Sequence, residues 1–449
     1  MTDFSEMDYD KIVENIFTRF PSFQSHGSGA YHPGLANMQA FDTELGHPHR
    51  AYRCVHVAGT NGKGSVSSMI ASSLAARGFR TGLYTSPHLV DFRERARICD
   101  DAGWTMVPRE FVAEFCRKWG DEMDRLGLSF FEITTAMAFE WFRSEGVDFA
   151  VVETGLGGRL DSTNIITPVL SVITGIGLDH CDILGDTLQD IASEKAGIIK
   201  PGVRAVVWGR DEATGPVFEN AAKVLSETEI TPLVFADREI TEDLSPILSD
   251  MDLRGDYQRI NLRTAVCALK CLGIDTRNSY TVQALQHTAA RTGLAGRWDK
   301  VSDNPLTIMD IGHNPDAMQH NFRQLVRTIQ EGGYTAIIVY GSVSDKDYKT
   351  VLKMFPSGVQ VIFTNAPGKR AEPAASLAQA ASEVWTGPDA PTTAGICPMV
   401  GDAMRLATEL AQNLENAGKK PLIYVGGSSY VVAQALKLRQ RTPTSPENE

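Results

Sequence analysis

Val55-His56-Val57-Ala58-Gly59-Thr60-Asn61-Gly62-Lys63-Gly64-Ser65 runs directly into Val66-Ser67-Ser68-Met69-Ile70-Ala71-Ser72-Ser73-Leu74. An apolar run ends in a glycine-rich turn holding one lysine, and a helix-forming run begins at once, so the stretch is predicted to be strand, phosphate loop and helix. Such a loop aims consecutive backbone N–H groups and a helix N-terminus at one anion, and its lysine reaches the outer phosphates of a nucleotide. The spacing is a variant of the commoner pattern, because Gly64 separates Lys63 from Ser65 and Val57 stands five positions before Gly62. A merely tight turn does not need three glycines around a lysine at a strand end. Nucleotide binding does.

Composition sets the outer bounds. A chain of 449 residues exceeds one ordinary core, so two domains are expected. Apolar content of 43% and charged content of 22% are those of a soluble globular protein, and a formal net charge of −12 argues against nucleic acid as a partner. Anionic small molecules stay compatible, since a local cationic loop holds them inside an acidic protein. The seven cysteines form no CxxC pair, and Cys267 and Cys271 lie one helical turn apart. They read as a reduced, partly buried set in a cytoplasmic protein rather than as disulfides or a zinc site. With no basic-then-apolar leader and no long apolar run, neither secretion nor membrane spanning is expected.

Around the loop the chain alternates strands and helices, which implies a parallel sheet with right-handed crossovers. Helical patterns cover residues 9–20 and 35–45, with a Gly/His/Pro-rich loop at 25–33 between them. Strands are predicted at 81–86, 147–152 and 169–174, and helices at 111–126 and 130–142. Arg93, Arg95 and Arg97 fit either a solvated edge strand or the border of a site for an acidic substrate. Ligands of parallel sheets collect at the carboxyl ends of the strands. Lys63, Ser86, Glu153 and His180 each stand at or just past such an end. Together they form a phosphate cradle with a hydroxyl, a carboxylate and an imidazole beside it, a set suited to nucleotide-bound magnesium. Glu194 and Lys195, taken alone, read as a plain surface pair on a helix ended by Gly197 and Pro201. Residues 237–252 read as a polar excursion or hairpin, 257–272 as a helix carrying Asn261, and 292–298 as a linker containing Arg297. A second, smaller αβ series follows without a phosphate loop of its own. Its Asp310 and His313 fall at a strand end and, with Arg297, are expected to face the nucleotide across a cleft. The tail 441–449 is polar and proline-bearing, and disorder is expected there.

Several blocks together carry a family resemblance: Gly59-Thr60-Asn61-Gly62-Lys63-Gly64-Ser65, Tyr84-Thr85-Ser86-Pro87-His88-Leu89, Glu153-Thr154-Gly155-Leu156-Gly157-Gly158-Arg159-Leu160-Asp161, Leu178-Asp179-His180, Glu194-Lys195-Ala196-Gly197 and His313-Asn314-Pro315. In this order, across residues 9–435, the sequence resembles the folylpolyglutamate synthase/dihydrofolate synthase branch of the Mur ligases. One departure is Asp310-Ile311-Gly312-His313-Asn314, where the family usually has Asp-Gly-Ala-His-Asn. The polar residues are kept, so the backbone turn is what the departure puts in question.

The resemblance implies a P-loop-containing, largely parallel-sheet α/β domain that binds ATP (1–296), a smaller Rossmann-like α/β domain (297–440) and the tail. It implies a cytoplasmic, monomeric ATP-dependent amide ligase, with no nucleic-acid or membrane partner, that joins L-glutamate to dihydropteroate, to reduced folates or to both through an acyl phosphate. Ser86, Glu153 and His180 then resemble metal ligands, with Ser65 near the phosphates. Lys195 matches a lysine that the family carries as a carbamate, helping to hold a second Mg2+ and overturning the surface-pair reading. Asn261, Arg297, Asp310 and His313 resemble ATP contacts, and Phe131 and Asp161 resemble residues of the pterin pocket. Residues 93–97 and the amino-terminal loop are expected to border the folate. Two other readings compete: a Mur-type ligase for a peptidoglycan precursor, and a regulatory protein that binds or hydrolyses ATP without ligating anything.

Overall fold

A computed structural model of the protein describes residues 8–20, 34–226 and 229–441. The loop predicted at 25–33 and the tail predicted at 441–449, apart from Arg441, lie outside the described residues. The chain divides into two compact units, Met1–Leu253 with Tyr257–Leu294, and Arg254–Asp256 with Ala295–Glu449.

The strands of the first unit are β1 (Arg53–Ala58), β2 (Thr81–Tyr84), β3 (Ala96–Asp100), β4 (Gly103–Met106), β5 (Phe149–Glu153), β6 (Leu170–Ile173), β7 (Ala205–Val207) and β8 (Leu233–Phe235). They form one sheet in the order β4-β3-β2-β5-β1-β6-β7-β8. From β2 to β8 in that order every neighbouring pair is parallel, while β3 and β4 add an antiparallel margin. The chain moves from β1 past the place of β5 to β2, then returns to fill both flanks of β1. This reversal puts the carboxyl end of β1 at the switch point, where open α/β sheets bind ligands. β5 and β6 are buried throughout and β1 in all but its first residue, which is why apolar residues dominate them in the sequence.

The helix after the loop, Lys63–Ala75, is buried from Gly64 to Ala75. Its serines and alanines are small enough for helices to close in on every side, and Ser72 Oγ donates to Ala284 O at 2.9 Å. Two expectations change in this unit. Arg95 and Arg97 are buried rather than on a solvated edge: Arg97 Nη1 donates to Thr292 O at 2.7 Å and Arg95 Nε to His88 Nδ1 at 2.9 Å. A guanidinium is tolerated inside a protein only with such acceptors. Residues 237–252 form no hairpin. They carry two short helices, Ala236–Glu239 and Ser245–Leu248, whose Ala236, Ile240 and Ile247 enter the core.

The second unit has β9 (Asp299–Asp303), β10 (Leu306–Met309), β11 (Tyr334–Tyr340), β12 (Gln360–Thr364), β13 (Thr392–Cys397) and β14 (Lys420–Gly426), in the order β13-β12-β11-β14-β10-β9. Only the β9–β10 pair is antiparallel. Separate apolar clusters cover its two faces, one around Phe322, Tyr340 and Tyr424 and the other around Ile337, Val339 and Ile423. The helix Pro315–Gly332 starts where Asn314 caps it, the side chain accepting from Ala317 N at 2.9 Å.

Candidate active site

Strand register assembles the site of the first unit. Val57 pairs with Glu153 and Ala58 with Ile173, so the ends of β5 and β6 flank the start of the loop. Thr154 N donates to Val57 O and Thr174 N to Ala58 O, extending both pairings into the turns. Thr60 then ties the loop to the segment after β6: its N–H donates to Gly175 O at 2.8 Å, its hydroxyl donates to Gly177 O at 3.0 Å, and that hydroxyl accepts from Gly177 N at 3.1 Å. These bonds carry Asp179 and His180 to the phosphate loop.

Gly62 is the N-cap of the helix Lys63–Ala75, with φ 93° and no side chain capping the first turn. The first helical amides therefore remain available to an anion. A side chain here would be strained by the left-handed backbone and would also put its Cβ 2.2 Å from Asn261 Oδ1. Asn261 Nδ2 donates to Gln258 Oε1 at 2.8 Å, and Gln258 Nε2 donates to Ser65 Oγ at 3.1 Å. The buried pair Gln258 and Asn261 thus braces the loop from behind, and Gln258 was missed by sequence reasoning. Its signal was only its position three before Asn261, one helical turn along the same face. Lys63 Nζ donates to Gly59 O at 3.0 Å and Thr60 O at 3.3 Å, which holds the ammonium over the loop.

Glu153 is 3% exposed, and its Oε2 accepts from Ser86 N at 3.3 Å, so the ends of β5 and β2 bring carboxylate and serine together. His180 adopts a left-handed backbone, φ 53°, as it opens the short helix Cys181–Leu184, and its N–H donates to Asp179 Oδ1 at 2.9 Å. Lys195 is buried on the helix Leu188–Ala196, not on the surface. Burial, then repulsion from Lys63, pull its amine down to about 7, against the opposing pull of Asp179, Asp161 and Glu194. Glu194 instead pairs with Arg159, whose Nη2 lies 2.7 Å from Oε1. Among the described residues no three His, Cys, Asp or Glu side chains gather as a metal cage. A hydroxyl, one carboxylate and one imidazole still suit a hard divalent ion whose other positions are taken by phosphate oxygens and water.

Phe131 lies in the first turn of the helix Phe130–Ser144, and its ring lies so close to Gly155 that a Cβ there would sit 2.5 Å from it. Asp161 staples the same loop: Oδ2 accepts from Gly155 N and Leu156 N at 2.8 and 2.9 Å, and Oδ1 from Thr163 N at 3.0 Å and Thr163 Oγ1 at 2.5 Å. Both oxygens serve the loop itself, so the structure gives Asp161 a shaping task.

In the second unit Asp310 has a similar task. Oδ2 accepts from Trp298 N, and Oδ1 from Gly312 N and Asn321 Nδ2, all at 2.7 Å. This sets the turn at the unusual Ile311-Gly312 and anchors the segment after Arg297. Arg297 Nη1 donates to Ala295 O and Gly296 O at 3.3 Å, and His313 Nδ1 lies 3.1 Å from Ile311 O, which makes Nδ1 the donor nitrogen.

Residues 296–423 match the family described as Mur ligase, glutamate ligase domain. A folylpolyglutamate synthase of Lacticaseibacillus casei is 34% identical over 336 residues, covering 71% of this chain and 78% of that protein. A Mycobacterium tuberculosis folylpolyglutamate synthase complexed with ADP superposes with a TM-score of 0.81 at 28% identity, over 97% of this chain and 99% of the other. A bifunctional folylpolyglutamate synthase/dihydrofolate synthase of Yersinia pestis, complexed with AMPPNP and Mn ion, does so with a TM-score of 0.78 at 26% identity, over 98% and 100%. Fold, loop and domain match define an ATP-dependent ligase of the Mur type. The chain belongs to the folylpolyglutamate synthase/dihydrofolate synthase family and is an acid–amino-acid ligase of folate metabolism. Membership sets aside both the peptidoglycan-type ligase and the non-ligating nucleotide sensor.

Proposed function

We propose that this ligase adds L-glutamate to dihydropteroate, to reduced folates or to both, and that the first unit activates the acid. The observation that supports the assignment of residues is the loop at the end of β1: Gly62 opens the helix Lys63–Ala75 with no side-chain cap, and Lys63 Nζ is held over the loop by Gly59 O and Thr60 O. A helix N-terminus without a cap and an ammonium beside it favour an anion, and a nucleotide phosphate is such an anion.

Gly59, Thr60, Asn61, Gly62, Gly64 and Ser65 present the loop to ATP, and Lys63 offsets charge on the γ-phosphoryl group as it moves to the acceptor carboxylate. The acyl phosphate then meets the amine of glutamate; the C–N bond forms, and the C–O bond to phosphate breaks. Phe131 walls the pterin pocket, and Asp161 shapes it through the Gly155 loop. Asn261 supports the loop behind the nucleotide. Arg297 and His313 contact ATP, with Asp310 setting their backbone. Ser86, Glu153 and His180 would hold a divalent ion, which supplies neutralisation of phosphate charge when bound.

Lys195 is proposed to react with CO2 as its neutral amine, forming a carbamate and releasing one proton. A carbamate would turn its repulsion from Lys63 into attraction and supply oxygen ligands for a second Mg2+. The enzyme is proposed to act as a cytoplasmic monomer, and its seven cysteines, which form no disulfide among the described residues, support a reducing compartment. No helix among the described residues is long and apolar enough to cross a membrane.

Phosphate release from ATP, measured with L-glutamate and each pteroate acid in turn, tests the function. Release is expected only with both glutamate and an accepted acid, and release indifferent to the acid would sink the assignment. For the metal site, Glu153→Gln is expected to raise the magnesium needed for half-maximal rate by about tenfold or more. Unchanged turnover at limiting magnesium would remove Glu153 from the site.

A further inference from the structure

His56 lies inside β1, three residues before the phosphate loop, and is completely buried. Its Nε2 is 2.8 Å from Thr163 Oγ1. Thr163 in turn donates its hydroxyl proton to Asp161 Oδ1. Burial raises the pKa of Asp161, and four donors oppose it, two amides on one oxygen and an amide and a hydroxyl on the other; they occupy the lone-pair sites of both oxygens, so the group accepts as a carboxylate. The single hydroxyl proton of Thr163 is therefore committed to Asp161, and toward His56 the threonine can only accept. The imidazole must carry its proton on Nε2. Burial, with Lys200 nearby, keeps the ring neutral.

Nδ1 of His56 has no hydrogen-bond partner among the described residues. An aliphatic side chain would fill this strand position without leaving a buried acceptor unsatisfied. What an aliphatic residue cannot do is orient Thr163. We infer that His56 is a positioning residue for the acceptor pocket: through Thr163 it fixes the carboxylate of Asp161, which staples Gly155 and Leu156 against the ring of Phe131. This rests on reading Phe131 and the Gly155 loop as the wall of the pteroate site. It also gives the strand that ends in the phosphate loop a second output, toward the acceptor.

The test uses the full chain and four variants. His56→Leu and Thr163→Val remove the two links, while His56→Gln and Thr163→Ser keep a donor and a hydroxyl. The first two are expected to raise KM for the pteroate acceptor about tenfold, the equilibrium weight of one hydrogen bond, with KM for ATP within about twofold. The second two stay within about threefold of the parent. A rise shared equally by both substrates, or no rise in Thr163→Val, would overturn the inference. If His56→Leu does not fold, the Thr163 pair alone decides. Side-chain 15N spectra of the substrate-free protein separate this from the folate reading. A neutral His56 protonated at Nε2, shifted by Thr163→Val, upholds the relay even if no pteroate is a substrate, and protonation at Nδ1 overturns it.

Discussion

Lys63→Ala is expected to lower turnover by about 10³-fold or more while the protein stays folded. The magnitude follows from the charge the ammonium must offset: a cation placed on a transferring phosphoryl group contributes on the order of 10³ to 10⁵ in rate. The fold should tolerate the change because Lys63 is only half-buried, its Nζ bonds two carbonyls of its own loop, and alanine is a good helix former at the first turn. A melting temperature within about 3 °C of the parent is expected. The substitution also acts at a distance. Repulsion from Lys63 is the second cause, after burial, of the lowered pKa of Lys195. Without it the Lys195 amine rises toward its ordinary value, and less of it is neutral at a given pH. Part of the loss therefore passes through Lys195, and Lys63→Ala and Lys195→Ala together should cost less than the product of the two. Near-normal acceptor-dependent phosphate release by Lys63→Ala would end the assignment of the loop.

The parts of this molecule that could be read from sequence are those whose signal is local. β1, β5 and β6 are buried almost throughout, so apolar residues dominate each of them, and the phosphate loop is marked by its own glycines. β8 and β13 escaped notice because a three-residue strand and an exposed edge strand such as Thr392–Cys397 carry neither an apolar run nor clean alternation. The segment 237–252 read as a polar excursion or hairpin because its polar residues mask two helices of four residues each. The positions of Lys63, Ser86, Glu153 and His180 just past strand ends were legible in the sequence. The burial of Lys195 was not legible from local pattern, since a lysine beside a glutamate on a short helix reads as a surface pair, and only the resemblance drew it into the site. Gln258, Thr163 and Asn321 act on residues 193, 107 and 11 positions away. Their partners are set by topology, and no spacing rule reaches that far.

Lys195→Ala is expected to reduce kcat by on the order of 10²-fold, and a short carboxylic acid such as formate to restore part of the rate. The chemistry behind this depends on pH in a defined direction. CO2 attacks the neutral amine, so carbamate forms above a pKa of about 7 and is suppressed below it. Roughly nine-tenths of an amine with that pKa is neutral at pH 8, whereas an ordinary lysine is almost wholly charged there. Wild-type activity should fall in CO2-depleted buffer, return with bicarbonate, and do so more completely at pH 8 than at pH 6. Stability gives an independent reading of the same group in carbonate-free buffer. The folded state binds the proton less tightly than the unfolded state, whose lysine titrates near 10.5. Below pH 7 the amine is charged in both states and the folded protein bears the full penalty of burying it; between about 7 and 10.5 the penalty fades as pH rises. Lys195→Met should therefore raise the melting temperature most at pH 6, less at pH 9, and hardly at all above pH 10.5. A Lys195→Ala enzyme at full rate would refute the catalytic role, while a Lys195→Met protein with a pH-independent gain would show that the lysine is not buried as a cation at all.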